Sequence, residues 1–239
     1  MTNKIDTTTT ITKTLYLFEK EKGGVGSTGT LVTVAHMLML RGTPVEFIEA
    51  STSQLDVLNA YGDHHVVHEL VLTDEDASDR LIDLVAAAPP GAAILANIPG
   101  GRFVEVDQIH EIVSYALETG ETDARVVIVW TMGMDAASRT TLDAMLNGTP
   151  PGPVLLNLPE WAGPPERFAN INDELLRRIE EDGGRMFVTP KMPSHLYELF
   201  RSEEVAIDRI AERPGTTIGN RAALGLWVRR VDEALGDVF

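Results

Sequence analysis

The sequence contains no cysteine among its 239 residues. A disulfide framework, a thiolate metal site and a cysteine nucleophile are therefore excluded. Basic residues are also scarce, because 20 Lys and Arg stand against 36 Asp and Glu and give a formal net charge of −16. Neutralisation of phosphates by Lys and Arg drives non-specific binding to nucleic acid. The charge balance therefore argues against a protein that coats nucleic acid by bulk electrostatics.

Long hydrophobic runs are missing as well. No apolar run approaches the ~20 residues that a membrane span needs, and the first residues lack the apolar core of a signal peptide. We therefore expect a cytoplasmic protein with no membrane partner. Residues 1–12 are polar and threonine-rich, which predicts a flexible N-terminal arm ahead of a single domain at residues 13–239.

Apolar segments alternate with helix-like segments along the chain. Strands are predicted at 15–18, 44–49, 92–98, 125–130, 154–157 and 185–189. Helices are predicted at 29–40, 74–87, 104–117, 136–146, 166–181, 193–211 and 220–238, and the pattern at 193–211 allows for a break. The stretch 55–68 fits neither pattern clearly. This alternation predicts an α/β fold, with a mostly parallel sheet flanked by helices on both faces.

A glycine-rich segment lies between the first predicted strand and the first predicted helix. It reads Lys22-Gly23-Gly24-Val25-Gly26-Ser27-Thr28. A strand, a glycine turn and a helix together present backbone N–H groups and a helix N-terminus, both of which favour a phosphate. The usual P-loop reads Gly-x4-Gly-Lys-Ser/Thr, with the lysine on the terminal phosphates and the hydroxyl on magnesium. Here Ser27 stands in the place of that lysine.

This segment closely resembles the deviant Walker A motif of the ParA/MinD ATPases, Lys-Gly-Gly-Val-Gly-Lys-Ser/Thr-Thr. The resemblance implies a P-loop NTPase-like fold. It also implies ATP or ADP with Mg²⁺ as cofactor, bound by residues 22–28 and with Thr28 on the metal. Lys22 matches the signature lysine, which in that family reaches across a homodimer to the partner's nucleotide. Without the lysine at Ser27, the phosphates lose a contact of about 1.5–3 kcal/mol.

Two acids of the family pattern are also replaced. At the end of the second strand Ser51 stands where the family has its switch aspartate, although Glu49 matches the earlier acid. At the end of the strand at 92–98, Asn97 stands in the Walker B aspartate position and could still hydrogen-bond a magnesium-bound water. With Ser27, Ser51 and Asn97 all neutral, whether the protein is an enzyme is left open, and no catalytic residue is predicted unless Lys22 acts as one.

The resemblance assigns two further residues to the base of the nucleotide. Asn157 matches an asparagine that hydrogen-bonds the adenine, and Pro190 or Pro193 takes the place of a residue that packs on the base. An asparagine that closes a buried strand also commonly caps a loop, so both interpretations of Asn157 stand.

The resemblance implies a nucleotide-binding or pseudo-ATPase switch with weak or no hydrolysis. Its setting would be plasmid or DNA partition, positioning or conjugative mobilisation, within a homodimer and beside a protein partner of a partition or transfer complex. The alternative is a scaffold that keeps the fold but binds no nucleotide. An amide-forming ligase of the dethiobiotin synthetase kind ranks last, because it needs the same missing lysine and acids.

Two other features admit a functional interpretation. His64, His65 and His68 lie close together, but their spacing fits no zinc signature and a polar surface segment is preferred. The helix at 220–238 is amphipathic, as in the membrane-binding helix of MinD-like proteins. Its polar face mixes both charges, so docking onto the sheet is preferred.

Overall fold

The computed structural model describes residues 13–148, 150–168 and 171–239, and these form a seven-stranded sheet. The sheet has the order β3-β2-β4-β1-β5-β6-β7, and each pair of neighbours is parallel. The strands are β1 (Lys13–Glu19), β2 (Val45–Glu49), β3 (Val66–Glu69), β4 (Ala93–Asn97), β5 (Ala124–Thr131), β6 (Val154–Pro159) and β7 (Arg185–Thr189). The predicted arm at residues 1–12 lies outside the described residues.

Helices connect the strands and cover the sheet on both faces. They are α1 (Ser27–Leu40), α2 (Asp56–Tyr61), α3 (Ala77–Ala87), α4 (Phe103–Thr119), α5 (Ala136–Asn147), α6 (Asp173–Glu181), α7 (Ser194–Arg201) and α8 (Ile218–Leu235). Alternate residues of β1 face opposite layers. Leu15 and Leu17 belong to the core under α3 to α6, and Tyr16 and Phe18 to the core under α1, α2, α7 and α8. The predicted fold class is confirmed.

The predicted helix at 166–181 is wrong over its first part. Residues Pro165–Arg167 form a short 3-10 turn, and α6 begins only at Asp173. The side chain of Asn172 accepts a hydrogen bond from the backbone N–H of Leu175 at 3.0 Å and so caps the helix there. An asparagine side chain that satisfies a free N–H group at a helix start stabilises the helix boundary at that position.

The ambiguous stretch at 55–68 contains both a helix and a strand, α2 and β3. The strand β3 lies at the edge of the sheet, and each of its four residues keeps some exposure. Because β3 includes the polar residues His68 and Glu69, its sequence lacks the apolar alternation that identifies half-buried strands. The predicted helix at 193–211 divides into α7 and a 3-10 turn at Ile207–Arg209.

The C-terminal helix α8 docks onto the body of the protein, as preferred from its sequence. Trp227 and Leu235 are buried, and α8 contacts β7 and α1. The indole N–H of Trp227 donates to the carbonyl of Pro190 at 3.4 Å. Within the ranges that the structure describes, the helices include none that is long and apolar enough to cross a membrane.

Candidate functional site

The glycine-rich loop between β1 and α1 has the backbone conformation that its sequence predicts. Gly24 and Gly26 have φ angles of 83° and 93°, in the left-handed region that glycine adopts most easily. Helix α1 begins directly afterwards at Ser27, without a side-chain cap and without an acidic residue in its first turn. Its free N–H groups and positive dipole end therefore remain available to an anion.

The backbone of the segment after β4 packs directly against this loop. A Cβ atom on Gly100 would lie 2.5 Å from the carbonyl carbon of Lys22, so only glycine allows the two backbones to approach so closely. The N–H of Gly101 donates to the carbonyl of Glu21 at 2.9 Å. The shape of the loop is thus fixed by backbone contacts, independently of the lysine that Ser27 replaces.

Two polar groups of the loop are left without hydrogen bonds. Ser27 is 1% exposed, and its Oγ has no partner among the described residues. Glu21 stands where the P-loop pattern has its first glycine. Its Oε2 is buried and lacks a hydrogen bond within the described part of the chain, although it lies 3.9 Å from the Lys22 ammonium. The glutamate adds a negative charge beside the proposed phosphate site.

The signature lysine is engaged within its own chain. The Lys22 ammonium forms an ion pair with Asp135, the N-cap residue of α5. A hydrogen bond from Lys22 lowers the pKa of Asp135, and the same bond raises the pKa of Lys22. Reaching a second subunit would require Lys22 to leave Asp135.

A tryptophan covers the loop. A Cβ on Gly26 would lie 2.4 Å from the Trp161 indole, and one on Gly29 would lie 3.6 Å from it, so the ring rests against the loop and the first turn of α1. Beyond the ring is a cavity of about 310 Å³. Its walls are Gly24, Gly26, Gly29, Thr33, Trp161, Lys191, Met192, Ser194, Tyr197 and Glu198. Among the described residues on these walls, Lys191 alone is cationic.

On the other side of the loop, the ends of β2, β4 and β1 hold a buried polar chain. The Lys20 ammonium donates to Asn97 Oδ1 at 3.4 Å, and Asn97 Nδ2 donates to Glu49 Oε1 at 2.8 Å. The backbone N–H groups of Ser51 and Val57 also donate to Glu49, each at 3.2 Å. Burial lowers the pKa of Lys20 to about 8 and raises the pKa of Glu49 to about 7.

These residues do not fit the magnesium site that the family resemblance implies. Both polar atoms of Asn97 are used within the chain, and a lysine ammonium lies where a second cation would be repelled. Thr28 is half-buried. Across residues 13–148, 150–168 and 171–239, no group of three His, Asp or Glu side chains is arranged to hold a metal ion, the histidine stretch at 64–68 included.

The predicted base contacts lie within β6, which runs two residues beyond the predicted strand end at Asn157, and directly after β7. Asn157 is fully buried, its Nδ2 donates to Thr30 Oγ1 at 2.7 Å, and its Oδ1 accepts from the N–H and Oγ1 of Thr189 at 3.2 and 2.7 Å. Pro190 is buried beneath Trp227. Neither residue lines the 310 Å³ cavity. An adenine contact by Asn157 stays a prediction, and it would require the amide to give up one of these bonds.

The sheet is parallel, and a glycine loop joins its central strand β1 to the start of α1. Together these features define the P-loop fold in its MinD form. The MinC:MinD cell division complex from Aquifex aeolicus superposes with a TM-score of 0.51 at 15% identity, over 92% of this chain and 96% of that one. A nucleotide-binding protein from Archaeoglobus fulgidus, solved with ADP, gives 0.52 at 13% identity over 83% and 88%. The resemblance to ParA/MinD proteins is confirmed at the level of the fold.

A relative in sequence spans almost the whole chain. Protein MobD of Acidithiobacillus ferrooxidans is 26% identical over 229 residues, which are 95% of this chain and 98% of MobD. No protein-family model matches the sequence.

Trp161, Lys20 and Lys191 are among the residues of the site that were not identified from the sequence. Trp161 lies in a Pro- and Gly-rich loop, where a large aromatic residue without an obvious core partner is a usable signal. Lys20 follows the apolar strand β1 directly, and a lysine at that point indicates a charge at the carboxyl edge of the sheet. Lys191 carries no comparable signal, since its position depends on how β7 leads into α7.

Proposed function

We propose that the chain is a nucleotide-binding switch protein with the ParA/MinD-like fold, acting in conjugative mobilisation or DNA partition with weak or no ATP hydrolysis. The likeness to MobD supports a mobilisation setting. The switch would operate as a homodimer beside a protein partner of the transfer complex. The A. aeolicus MinD structure contains such a partner, MinC.

One observation carries the nucleotide assignment. Helix α1 starts uncapped behind two left-handed glycines and beside a 310 Å³ cavity, with the unpartnered Ser27 hydroxyl at its first position. Backbone N–H groups and a helix dipole suffice to hold a phosphate. The aromatic rings of Trp161 and Tyr197 on the cavity walls suit a planar base, and Lys191 supplies the positive charge that Ser27 lacks.

Weak hydrolysis follows from the charges around the loop. Phosphoryl transfer depends on positioning and on cations that stabilise charge on the transferred group. The loop has no lysine at Ser27, and the polar chain from Lys20 to Glu49 leaves no room for a magnesium site of the usual kind. Binding therefore survives in this proposal, and fast turnover does not.

A second candidate function is a scaffold that binds a partner without nucleotide. The position of Trp161 against Gly26 favours it, because the ring covers part of the surface that a phosphate approaches. Under the scaffold proposal the Trp161 indole covers the loop permanently. Under the switch proposal the indole is one wall of the nucleotide-binding cavity.

Calorimetric titration with ADP and ATP, with magnesium and then with EDTA, separates the two. The switch proposal expects binding that changes less than about three-fold when magnesium is removed, since the residues do not build a metal site. Lys191→Ala should weaken binding by about 10–100-fold, Lys191→Arg should restore it, and Arg229→Ala, which removes an exposed cation of α8, should have no effect. The absence of heat and of any thermal shift at millimolar nucleotide would refute the switch and favour the scaffold.

A further inference from the structure

A second concave surface lies on the opposite face of the sheet, between α4 and α5. We call it the α4–α5 groove, and its volume is about 670 Å³. It is lined by Glu19, Phe103, Val106, Asp107, His110, Glu111, Ser114, Tyr115, Glu118, Trp130, Thr140, Thr141, Ala144, Met145 and Gly148. Four of these residues are acidic, and none of the described lining residues is Lys or Arg.

The floor of the groove contains two polar side chains with unused hydrogen-bonding atoms. Glu19 and Trp130 pair directly across β1 and β5, and both are at most 3% exposed. Glu19 Oε1 is bonded to His110 Nε2 at 2.7 Å, but Oε2 has no hydrogen-bond partner in the described structure. The Trp130 indole N–H is likewise unpartnered among those residues. A buried acceptor and a buried donor that both lack hydrogen-bond partners lower the stability of the fold.

The rim of the groove is acidic. Asp107, Glu111 and Glu118 are exposed on one face of α4, at spacings of four and seven residues. The rings of Phe103 and Tyr115, which are 45% and 63% exposed, stand beside them. Carboxylates with aromatic rings among them complement cationic side chains that have apolar stems.

The two unused atoms on the floor specify the ligand further. Glu19 Oε2 needs a donor, best supplied by a cation, whereas the Trp130 N–H needs an acceptor. A metal ion or a polyamine offers no acceptor. A polypeptide offers both, through its Lys or Arg side chains and its backbone carbonyl groups.

We propose that the α4–α5 groove binds a basic segment of a partner protein, with a Lys or Arg side chain on Glu19 and a backbone carbonyl on the Trp130 indole. A second copy of this chain is a poor occupant, because each copy carries a net charge of −16. The described lining residues of the groove include none that lines the cavity beside the glycine loop.

The test follows the indole N–H signal of Trp130 by NMR in the full chain. The sequence has three tryptophans, and Trp130→Phe identifies which of the three signals belongs to this residue. The probe is a capped Arg-Leu-Arg-Leu-Arg peptide at physiological salt. It should move the Trp130 signal, and Glu19→Gln should weaken its binding by at least about ten-fold. Glu233→Gln, which removes one exposed carboxylate of α8, is the control for net charge and should change nothing.

The exposed rim provides a variant that keeps the core intact. Asp107→Asn combined with Glu111→Gln should weaken the peptide at least about three-fold. Equal losses in Glu19→Gln and Glu233→Gln, or no movement of the Trp130 signal, would overturn the proposal. It would also be overturned if spermine moved that signal as the peptide does, or if the signal shifted with protein concentration alone, because the occupant would then be a free polyamine or a second copy.

Discussion

Two buried asparagines, Asn97 and Asn157, use their amide groups to join side chains of neighbouring elements. Asn97 ends β4 and Asn157 lies two residues before the end of β6, and both were predicted from the sequence to lie near a ligand. In the structure both amides bind other side chains: Asn97 joins Lys20 to Glu49, and Asn157 joins Thr30 to Thr189. Their positions were predictable, but their partners were not. The partners depend on the sheet order, which brings β1, β4 and β2 side by side.

The hydrogen bonds of Asn157 lead to a stability prediction. Asn157→Ala leaves Thr30 and Thr189 with unsatisfied buried groups, and we expect it to lower the free energy of unfolding by about 2–4 kcal/mol. Urea denaturation measures this loss. Asn59→Ala, at an exposed residue of α2, should cost less than about 0.5 kcal/mol. If the two losses are similar, Asn157 does not tie α1 to β7.

At the scale of elements, the loop containing Trp161 packs on the loop that precedes α1. Gly24 and Gly26 both have left-handed φ angles, so alanine at either should cost about 1–2 kcal/mol in backbone strain. The described residues place no atom within 4 Å of a Cβ on Gly24, whereas a Cβ on Gly26 meets the indole. The two glycines therefore form a matched pair of positions.

We expect Gly26→Ala to lose about 1–3 kcal/mol more than Gly24→Ala, because only the first forces the indole away. The Trp161 indole NMR signal, assigned with Trp161→Phe, should shift in Gly26→Ala and stay in place in Gly24→Ala. Urea denaturation of both variants gives the energies. Equal losses and unmoved signals would mean that Trp161 does not rest on the loop.

We expect the packing of α4 on β1 to depend on pH, because His110 of α4 is hydrogen-bonded to Glu19 of β1. Burial lowers the pKa of His110, but the charge and hydrogen bond of Glu19, with a smaller effect of Asp107, raise it by more. Because the folded pKa lies above the unfolded value, the pair stabilises the fold fully below pH ~6.5, and this stabilisation is lost as pH rises through the folded pKa.

Urea denaturation at pH 6 and pH 8.5 tests this pH dependence. His110→Gln should be clearly less stable than the natural protein at pH 6, and the gap should narrow at pH 8.5 as the natural protein loses the ionic form of the pair. His195→Gln, at an exposed histidine of α7, should leave the pH dependence unchanged. A gap that widens with pH would show that His110 is not stabilised in its charged form.

Most elements were predictable because their local patterns are strong, either a continuous β-branched run or an amphipathic helical period. The β-branched β5 and the amphipathic α8 are examples. The edge strand β3 was not, since a strand that keeps exposure on both faces loses the apolar alternation. The first residue of α6 was not predictable either, because a single side-chain cap at Asn172 determines where the helix begins. In the site, the glycine loop could be identified locally, whereas Trp161 and Lys191 come from distant segments that only the tertiary structure brings to it.

At the scale of the whole molecule, the glycine loop and the α4–α5 groove lie on opposite faces of one sheet and share its carboxyl edge. The ion pair between Lys22 and Asp135 connects them, since Asp135 caps α5 and α5 lines the groove. In the switch proposal Lys22 must leave Asp135 to reach the nucleotide of a second subunit. In that proposal the intrachain pair therefore opposes dimerisation.

Asp135→Asn tests this competition without uncapping α5. Asparagine also accepts the bond from the Ser138 N–H, so the cap is kept while the charge partner of Lys22 is removed. Sedimentation velocity should show a dimer up to about five-fold tighter with ATP than that of the natural protein, a modest gain because the pair is exposed. Adding Lys22→Ala should abolish the gain. If Asp135→Asn tightens the dimer equally without nucleotide, or still does so when Lys22 is alanine, the freed lysine is not what joins the two subunits.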